Sequence, residues 1–390
     1  MWLVRPSMLP SSPLIRAFLG LIIGVLLMLV LGYGILHYND YNIRPYDEIA
    51  YNRSDELNNT KHSEKEPLIL AWTPFYHLKL TEYLKPYFNG CPAKCRFLNR
   101  GNSSHLLNVS AAVIFHARDF MYHDKILPMR STVEQLFVYM IDEAPGHRGE
   151  YIIPRIPEGY FNRSMTYHAE SDYPIPYLHW SEIVGDTSPS DFWTEEEMEK
   201  ALARKNQSIL VIMSYCTAQS KRGLIIDQLK LRLNITLSGG CFSGKVSAEQ
   251  ELALEASHKF YLALENSVCE DYVTEKAFRL TKLMIPIVFS RRIVRSVLPS
   301  DSFIALDDFS SIDQFVSYIK KVESDETLYR QYFSWTKKYK KVKGDNKGLC
   351  KLCMDLHSNK LRHKWLSEKE LRSTEQCVPD FVEKLWKSPL

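Results

Sequence analysis

The stretch FYLALENSVCEDYVTEK, residues 260–276, combines residue types that suit the binding of a phosphorylated ligand. It begins as an apolar run typical of a buried strand and then becomes polar and acidic. The pattern predicts that a helix follows, capped by Asp271 or Thr274, with Glu275 and Lys276 in its first turn. A cation there opposes the helix dipole unless an anion binds beside it. The residues therefore favour a diphosphate site, and the alternative is an exposed pair at an ordinary helix start.

Several apolar runs along the chain have the length and composition of buried strands. They are PLILAW (67–72), AAVIFHA (111–117), LFVYMID (136–142), SILVIMS (208–214), KFYLALE (259–265), IPIVFS (285–290) and SFIAL (302–306). Helical patterns such as RGLIIDQLKLRL (222–233) and TEKAFRLTKL (274–283) lie between some of them. Strands that alternate with helices in this way predict an α/β fold with parallel sheets covered on both faces.

The runs fall into two groups, residues 66–185 and 205–345, joined by a polar segment. Two doubly wound domains facing each other place a cleft between the carboxyl ends of their sheets, where nucleotide ligands bind. The sequence has no G-x-G-x-x-G after the first strand and no G-x-x-x-x-G-K-[ST]. This argues against a standard dinucleotide dehydrogenase or a P-loop NTPase. A net charge of +3 gives no reason to expect binding of nucleic acid.

Residues 17–36, AFLGLIIGVLLMLVLGYGIL, carry no charge and are long enough to cross a bilayer as a helix. A cleaved signal peptide is the alternative, but the run is long for one and no clean small-x-small site follows it. Arg5 and Arg16 precede the run, and acidic residues follow it. The positive-inside tendency predicts a type II signal-anchor with a cytoplasmic tail (1–16), a stem (37–65) and a lumenal body.

Sequons and cysteines agree with a lumenal body. Asparagines in Asn-x-Ser/Thr sequons, all after the apolar run, are Asn52, Asn58, Asn102, Asn108, Asn162, Asn206 and Asn234. All eight cysteines also follow that run, in a compartment that permits disulfides. Cys350 and Cys353 have the spacing of half a zinc site, but no second half completes it, which favours disulfides.

An ordered set of motifs closely resembles the α-1,3-fucosyltransferases, the family 10 glycosyltransferases that use GDP-fucose. FYLALENSVCEDYVTEKAFRL carries the closest resemblance, followed by IPIVFS and SFIALDDFSSIDQFVSYI. Further segments match in order: LILAWTPF, AAVIFHARD, EAPGHRG at the family's Glu-Ser-Pro motif, FNRSMTYHAESDYPIPY, VIMSYCTAQSKRGLIIDQL, GGC and CKLC. The resemblance extends from about residue 67 to residue 357.

This resemblance implies the GT-B arrangement, in which two Rossmann-like domains face each other across a cleft. Residues 66–185 would form the acceptor-side domain and residues 205–345 the GDP-fucose-binding domain. The segment 346–390 would pack back through disulfides. The implied pairs join Cys91 and Cys95 to Cys350 and Cys353, and Cys216 to Cys241, with Cys269 and Cys377 left over.

The resemblance also implies an inverting transfer of fucose and a role for each matched residue. Glu143 would be the general base that takes the acceptor hydroxyl proton. Arg222 and Lys276 would neutralise the departing diphosphate, and Glu275 would stabilise the positive charge on an oxocarbenium-like fucose. Two further residues would line the donor pocket: Asn266 and Tyr272.

The implied partners are GDP-fucose, a glycan on a glycoprotein or glycolipid, and a Golgi membrane crossed by one helix. The acceptor is a lactosamine, a LacdiNAc or an N-glycan core. No convincing Asp-x-Asp metal motif is present, since ESD (170–172) falls inside a matched acceptor motif. The expectation is no essential cofactor, with room for Mn²⁺ or Mg²⁺ as a stimulating ion.

Four positions depart from the family pattern. Ala144 replaces the serine of Glu-Ser-Pro, His168 replaces an arginine, Glu170 replaces an aspartate and Leu264 replaces a phenylalanine. The substitutions at Ala144, His168 and Leu264 leave an alternative function open, that of a non-catalytic Golgi relative that binds glycans or GDP.

Overall fold

The computed structural model of the protein describes residues 66–101, 105–123, 127–144, 156–341, 347–358, 364–372, 377–379 and 381–386. These belong to one compact unit that extends from Glu64 to Leu390. The expected tail, signal-anchor (17–36) and stem lie outside the described residues, so they stay predictions. Among the residues that are described, no helix is both long enough and apolar enough to span a membrane.

The first sheet is entirely parallel and has the strand order β2-β1-β3-β4-β5. Its strands are β1 (Leu68–Ala71), β2 (Arg96–Asn99), β3 (Ala112–His116), β4 (Leu136–Ile141) and β5 (Arg163–Thr166). Every residue of β1, β3 and β4 is buried. Apolar groups therefore cover both faces of the sheet, as the near-continuous apolar runs predicted.

The second sheet is also parallel and has the order β10-β9-β8-β6-β7. Its strands are β6 (Gln207–Ile212), β7 (Ile235–Ser238), β8 (His258–Leu262), β9 (Ile285–Val288) and β10 (Ile304–Ala305). The predicted α/β fold with parallel sheets is confirmed, and each predicted apolar run contains a strand. The domain boundaries of 66–185 and 205–345 stay predictions.

Short helices connect and cover the strands. The described α-helices are α1 (Leu80–Leu84), α2 (His105–Val109), α3 (Ala117–His123), α4 (Glu195–Leu202), α5 (Arg222–Leu229), α6 (Ala248–Ser257), α7 (Arg291–Val294), α8 (Ile312–Ser324), α9 (Glu326–Gln331), α10 (Gly348–Ser358), α11 (Glu368–Arg372) and α12 (Phe381–Lys384). Described 3₁₀-helices are Lys85–Phe88, Pro189–Asp191, Ala277–Lys282, Leu306–Asp308 and Ser334–Lys337.

The helix expected at 274–283 is a 3₁₀-helix that covers only Ala277–Lys282. Neither expected cap closes it. The backbone N–H and the hydroxyl of Thr274 both donate to the carboxylate of Glu265. Asp271 lies in the left-handed region (φ 60°), and its carboxylate points away toward the first sheet. The prediction of an α-helical N-terminus at Lys276 was therefore wrong, because Thr274 hydrogen-bonds to Glu265 and Asp271 hydrogen-bonds to Ala169, so neither side chain caps the helix.

Four disulfides use all eight cysteines: Cys91–Cys350, Cys95–Cys353, Cys216–Cys241 and Cys269–Cys377. The resemblance implied Cys216–Cys241 and the joining of Cys91 and Cys95 to Cys350 and Cys353, and the structure decides which of these cysteines pair. The fourth disulfide joins the two residues that were left over. Because the sulfurs of Cys350 and Cys353 are in disulfides, they do not form half a zinc site. Helix α10 packs against the first sheet, where Leu349 and Leu352 enter the core.

The sequons differ in accessibility. Asn108, Asn206 and Asn234 are exposed, whereas Asn52, Asn58 and Asn102 lie outside the described residues. Asn162 is buried; its Nδ2 donates to the carbonyl of Gln135, and its Oδ1 accepts from the N–H of Phe137. A glycan would be attached to this buried Nδ2, which is shielded from solvent, so the prediction of glycosylation at Asn162 does not fit this structure.

Candidate active site

The strand order of each sheet reverses once. Arg222 and residues 265–276 follow the two strands at the reversal of the second sheet, whereas Glu143 follows β4, which lies next to the reversal of the first sheet. In the first sheet, β1 and β3 diverge, and β3 is followed by β4, after which Glu143 comes. In the second sheet, β6 and β8 diverge, with Arg222 after β6 and residues 265–276 after β8. Ligands of open α/β sheets bind outside the carboxyl ends of strands at such reversals. The fold thus presents the candidate residues where a ligand is expected.

Glu143 meets the second sheet through Tyr272. The phenolic O–H of Tyr272 donates to Oε2 of Glu143 over 2.8 Å. Tyr272 is buried, and burial followed by the Glu143 charge raises the pKa of its hydroxyl well above the usual value. A tyrosine that stays protonated is a reliable donor to an ionised carboxylate. The expected base of the first sheet and an expected donor-pocket residue of the second sheet are therefore in direct contact.

Lys276 lies at the centre of a charged cluster. Its Nζ is 2.9 Å from Oε2 of Glu265, 3.1 Å from Oε1 of Glu275 and 2.7 Å from Oγ1 of Thr274. Glu265 is buried, whereas the side chain of Glu275 is 62% exposed. The buried carboxylate therefore holds the ammonium in place, and the exposed carboxylate is the one that a ligand can reach.

The cluster fixes the charge of its members. Burial opposes the charged ammonium, but Glu265 and Glu275 outweigh it and raise the pKa of Lys276 to about 12. Burial raises the pKa of Glu265. Partial desolvation by the surrounding protein also acts to raise the pKa of Glu275, but Lys276 overcomes that effect and lowers the pKa. Lys276 is therefore a cation throughout the neutral range, next to an accessible anion.

Arg222 is buried at the start of α5 and anchors the loops that follow β6 and β8. Its guanidinium donates to the carbonyls of Leu264 and Tyr215, both over 2.8 Å, while its Nε has no partner among the described residues. Burial lowers the pKa of Arg222, and the charges of Glu265 and others, including Glu275, act against this. The Oδ1 of Asn266 is likewise buried without a partner in the described part of the chain.

A second link between the sheets lies beside Tyr272. Oδ2 of Asp271 accepts from the backbone N–H of Ala169 over 3.1 Å and lies 3.7 Å from Nδ1 of His168. The hydroxyl of Ser296 donates to Oδ1 of the same carboxylate. The rings of Tyr167 and Tyr272 pack with centroids 5.0 Å apart. The loop after β5 and the loop after β8 are therefore joined by polar and aromatic contacts.

Sequence reasoning missed several residues of this region. Glu265 comes three residues after β8, and an acidic residue at the end of the apolar run KFYLALE (259–265) was the signal available. Asp142 precedes Glu143 and is buried, and Tyr177 lies within the electrostatic field of carboxylates that follow strands of both sheets. Burial, then Asp142, Tyr272, Glu143 and Glu275, raise the pKa of Tyr177. This one hydroxyl thus marks the region where the two expected carboxylates converge.

Three of the four residues that depart from the family pattern make defined contacts in the structure. Ala144 is fully buried in a small apolar cluster with Tyr167, Cys269 and Tyr272. Leu264 is buried and gives its carbonyl to Arg222. His168 takes part in the contact with Asp271 described above, and Glu170 is exposed. Three of the four substitutions therefore serve packing or links between the sheets.

Two family models match the chain and together cover both sheets. Residues 64–178 match the model described as "Fucosyltransferase, N-terminal". Residues 202–372 match "Glycosyltransferase family 10 (fucosyltransferase) C-term". The two matches are consecutive and meet at the polar segment between the sheets. The resemblance inferred from the ordered motifs is confirmed.

Proteins that are similar in sequence or structure to this chain are named as α-1,3-fucosyltransferases. "Alpha-(1,3)-fucosyltransferase C" of Drosophila melanogaster is 27% identical over 323 residues, which cover 76% of this chain and 74% of that protein. "4-galactosyl-N-acetylglucosaminide 3-alpha-L-fucosyltransferase 9" of Rattus norvegicus is 29% identical over 238 residues, 60% of this chain and 62% of that protein. A crystal structure of an alpha1,3-fucosyltransferase shares the fold, with a TM-score of 0.51 at 15% identity, over 77% of this chain and 93% of that one. The protein is a glycosyltransferase of family 10, the fucosyltransferases.

Proposed function

We propose that the protein transfers L-fucose from GDP-β-L-fucose to the 3-hydroxyl of N-acetylglucosamine in a glycoprotein or glycolipid glycan. The transfer inverts the anomeric centre and gives an α1,3 linkage. The observation that carries this assignment is the hydrogen bond from Tyr272 to Glu143. It places a carboxylate of the first sheet beside the loop that carries Glu275 and Lys276, so a base and a charged donor site meet in one place.

In this mechanism Glu143 accepts the proton of the attacking hydroxyl, on the face opposite the leaving group. The exposed carboxylate of Glu275 stabilises the positive charge on the fucose ring as the bond to the diphosphate breaks. Lys276 and Arg222 stabilise the developing negative charge of the GDP leaving group. Asn266 and Tyr272 line the donor pocket, where the free Oδ1 of Asn266 is an available acceptor.

The two parallel sheets form the two halves of a GT-B arrangement, with the acceptor on the first and the nucleotide sugar on the second. Inversion in one step needs the base and the donor on opposite sides of the acceptor hydroxyl. Residues on facing loops of two sheets meet that need. The contacts of Asp271 and Tyr272 with the first sheet keep the two halves in register.

No essential cofactor belongs to this proposal, since Lys276 and Arg222 supply positive charge for the diphosphate. Among the described residues, the one cluster of three potential metal ligands is Cys95, Cys353 and His357, and its two sulfurs form a disulfide. Mn²⁺ or Mg²⁺ remains a stimulating ion in this proposal. The protein acts as a single-pass type II protein of the Golgi membrane, with its catalytic part in the lumen.

The test follows GDP release by the full-length protein from GDP-fucose, with a lactosamine, a LacdiNAc or a core N-glycan as acceptor, each with and without EDTA. We expect release with one acceptor that survives EDTA. Glu143→Gln should lower kcat by roughly 10² to 10⁴, the usual contribution of a general base. The matched control is Glu270→Gln, since Glu270 forms an exposed ion pair with Arg292 on the donor loop. GDP binding without turnover with any acceptor would instead support the non-catalytic relative.

A further inference from the structure

His116 forms a buried cluster with two carboxylates at the carboxyl end of β3, immediately beside the proposed base. The imidazole is completely buried. Its Nδ1 is 2.6 Å from Oδ2 of Asp119, and its Nε2 is 3.6 Å from Oδ1 of Asp142. Asp142 is itself buried and is the chain neighbour of Glu143. The cluster thus joins the loop after β3 to the strand end that carries the base.

The protons of this cluster follow from its contacts. Oδ2 of Asp119 accepts from the backbone N–H of Tyr76 over 2.7 Å and lies 2.6 Å from Nδ1 of His116. The backbone donor favours the ionised carboxylate, which needs a protonated nitrogen across the second contact. Nδ1 of His116 therefore carries a proton. Neither Nε2 of His116 nor Oδ1 of Asp142 has any hydrogen-bond partner among the described residues, although both are buried. Two unprotonated acceptors facing each other in a buried site would be unfavourable, so one proton belongs between them.

Other titratable or charged groups also face this cluster. Burial and then Asp142 raise the pKa values of Tyr76, Tyr83 and Tyr177, and the Arg118 guanidinium lies over the Tyr76 ring. The rings of Phe75 and Tyr76 pack against the imidazole, with centroids 4.7 and 5.3 Å away. Thr73 is engaged with the backbone N–H of His116. Burial opposes a charged imidazolium, but the two aspartates outweigh it and raise the pKa of His116 above its usual value. A cation between two anions is the state that these neighbours favour.

We propose that His116 is a positioning residue that balances the charge of Asp142 and so keeps the adjacent Glu143 ionised as the base. Without it, Asp142 and Glu143 would be two neighbouring carboxylates in a partly buried site. Both carboxylates act on the hydroxyls of Tyr76 and Tyr177, so they lie in the same region. Like charges close together raise the pKa of one member of the pair. A protonated Glu143 cannot accept the proton of the acceptor hydroxyl. His116 therefore acts through Asp142 and does not contact the substrate.

The same cluster also orders the acceptor side. The backbone of Tyr76 has φ 54°, an unfavourable conformation for a tyrosine, and its N–H is held by Asp119. Burial, followed by the charges of Asp142 and Glu143, raises the pKa of the Tyr76 hydroxyl. That hydroxyl therefore lies in the field of the carboxylate pair. Through Asp119 and Asp142, the buried His116 therefore connects the backbone of Tyr76 with the strand end that carries Glu143.

The kinetic test compares His116→Gln, Asp142→Asn and the double variant, using the pH profile of kcat/KM for the acceptor. In His116→Gln the acid limb should move upward by ~1 pH unit, a shift typical of an uncompensated like-charge neighbour. The double variant should move back toward the wild-type limb, since the neighbouring anion is gone. KM for GDP-fucose should not change. An acid limb at the wild-type pH in a folded His116→Gln protein would overturn the proposed role.

His258→Gln is the matched control. His258 is a buried histidine at the start of β8, bonded to Leu254 and Thr236, and it is not part of the proposed machinery. It should alter stability but leave the acid limb in place. An equal shift in His258→Gln would mean that any buried histidine produces the effect, and it would remove the case for His116.

Because Glu143 acts as a base only in the proposed function, the role of His116 rests on that function and needs a readout other than activity. Nitrogen NMR of histidine-labelled protein should show one imidazole protonated on both nitrogens at neutral pH. The signal should vanish in His116→Gln, persist in Glu143→Gln and titrate at lower pH in Asp142→Asn. A neutral His116 would contradict the proposal even if Glu143→Gln abolishes turnover. An active Glu143→Gln enzyme would instead refute the base assignment.

Discussion

The hydroxyl of Tyr272 donates to Oε2 of Glu143 over 2.8 Å, although the two residues are 129 positions apart in the chain. One belongs to the loop after the central strand of the second sheet, and the other follows β4 of the first. The contact lies beside the Cys269–Cys377 disulfide and the packed rings of Tyr167 and Tyr272. The orientation of the proposed base therefore depends on the conformation of the donor-side loop.

Replacing Tyr272 with phenylalanine removes this hydrogen bond and keeps the ring. We expect kcat to fall roughly ten- to a hundredfold, because a hydrogen bond to a charged group contributes about 1.5–3 kcal/mol. Tyr329→Phe is the control, since that buried hydroxyl has no partner among the described residues. A role of Tyr272 confined to donor binding would instead raise KM for GDP-fucose at constant kcat.

Replacing Lys276 with methionine should lower both stability and activity. The change leaves the buried Glu265 without its cation, which costs about 3–5 kcal/mol for a broken buried pair. The double variant with Glu265→Gln should recover most of the melting temperature but no activity, because the ammonium is still missing. Lys230→Met removes an exposed pair with Asp227 and serves as the control. Recovery of turnover in the double variant would show that Lys276 acts only through stability.

Replacing Asp271 with asparagine tests the link between the sheets. Asparagine also tolerates the left-handed backbone at this position, so the change isolates the loss of the carboxylate. The melting temperature should fall, since the N–H of Ala169 and the hydroxyl of Ser296 lose a charged acceptor. A buried hydrogen bond to a charged group is worth about 1.5–3 kcal/mol. Asp271→Ala should be worse than Asp271→Asn, because alanine has no side-chain acceptor and tolerates the left-handed backbone less well. Equal effects would show that neither property of asparagine contributes.

Two buried histidines should give opposite pH dependences of stability. Burial lowers the pKa of His258 below its reference value of 6.5, so the unfolded chain binds more protons below that pH. Acidification below about pH 6.5 therefore destabilises the protein through His258. The pKa of His116 is raised, so its contribution is complete below pH 6.5 and is lost as pH rises through the folded value.

Melting temperatures across the range from acid to mildly alkaline pH measure both effects. His258→Gln should flatten the loss of stability on the acid side. His116→Gln should lose most stability at acid pH and least at alkaline pH. If both variants changed the melting temperature equally at every pH, neither histidine would change its protonation on folding.

Local sequence predicted the central strands well, because buried parallel strands are apolar along their whole length. LFVYMI of β4 is buried at every position. The strands that were not predicted are β2 (RFLN), β5 (RSMT) and β7 (ITLS), and all three lie at sheet edges. An edge strand has one paired side and more exposed positions, so its sequence carries a weaker apolar pattern. Pairing with a neighbour, rather than composition, creates these strands.

The sequence by itself determined the fold class and the family, since these depend on apolar periodicity and on motifs that are continuous in the chain. Only the tertiary structure decided how the site is assembled. In the structure the expected helix is a short 3₁₀-helix that begins after Lys276, and the ammonium of Lys276 forms an ion pair with Glu265. It also brought Tyr272 to Glu143 and His116 to Asp142. These partners come from different strands, and the electrostatics of a buried group depend on neighbours that no local stretch of sequence contains.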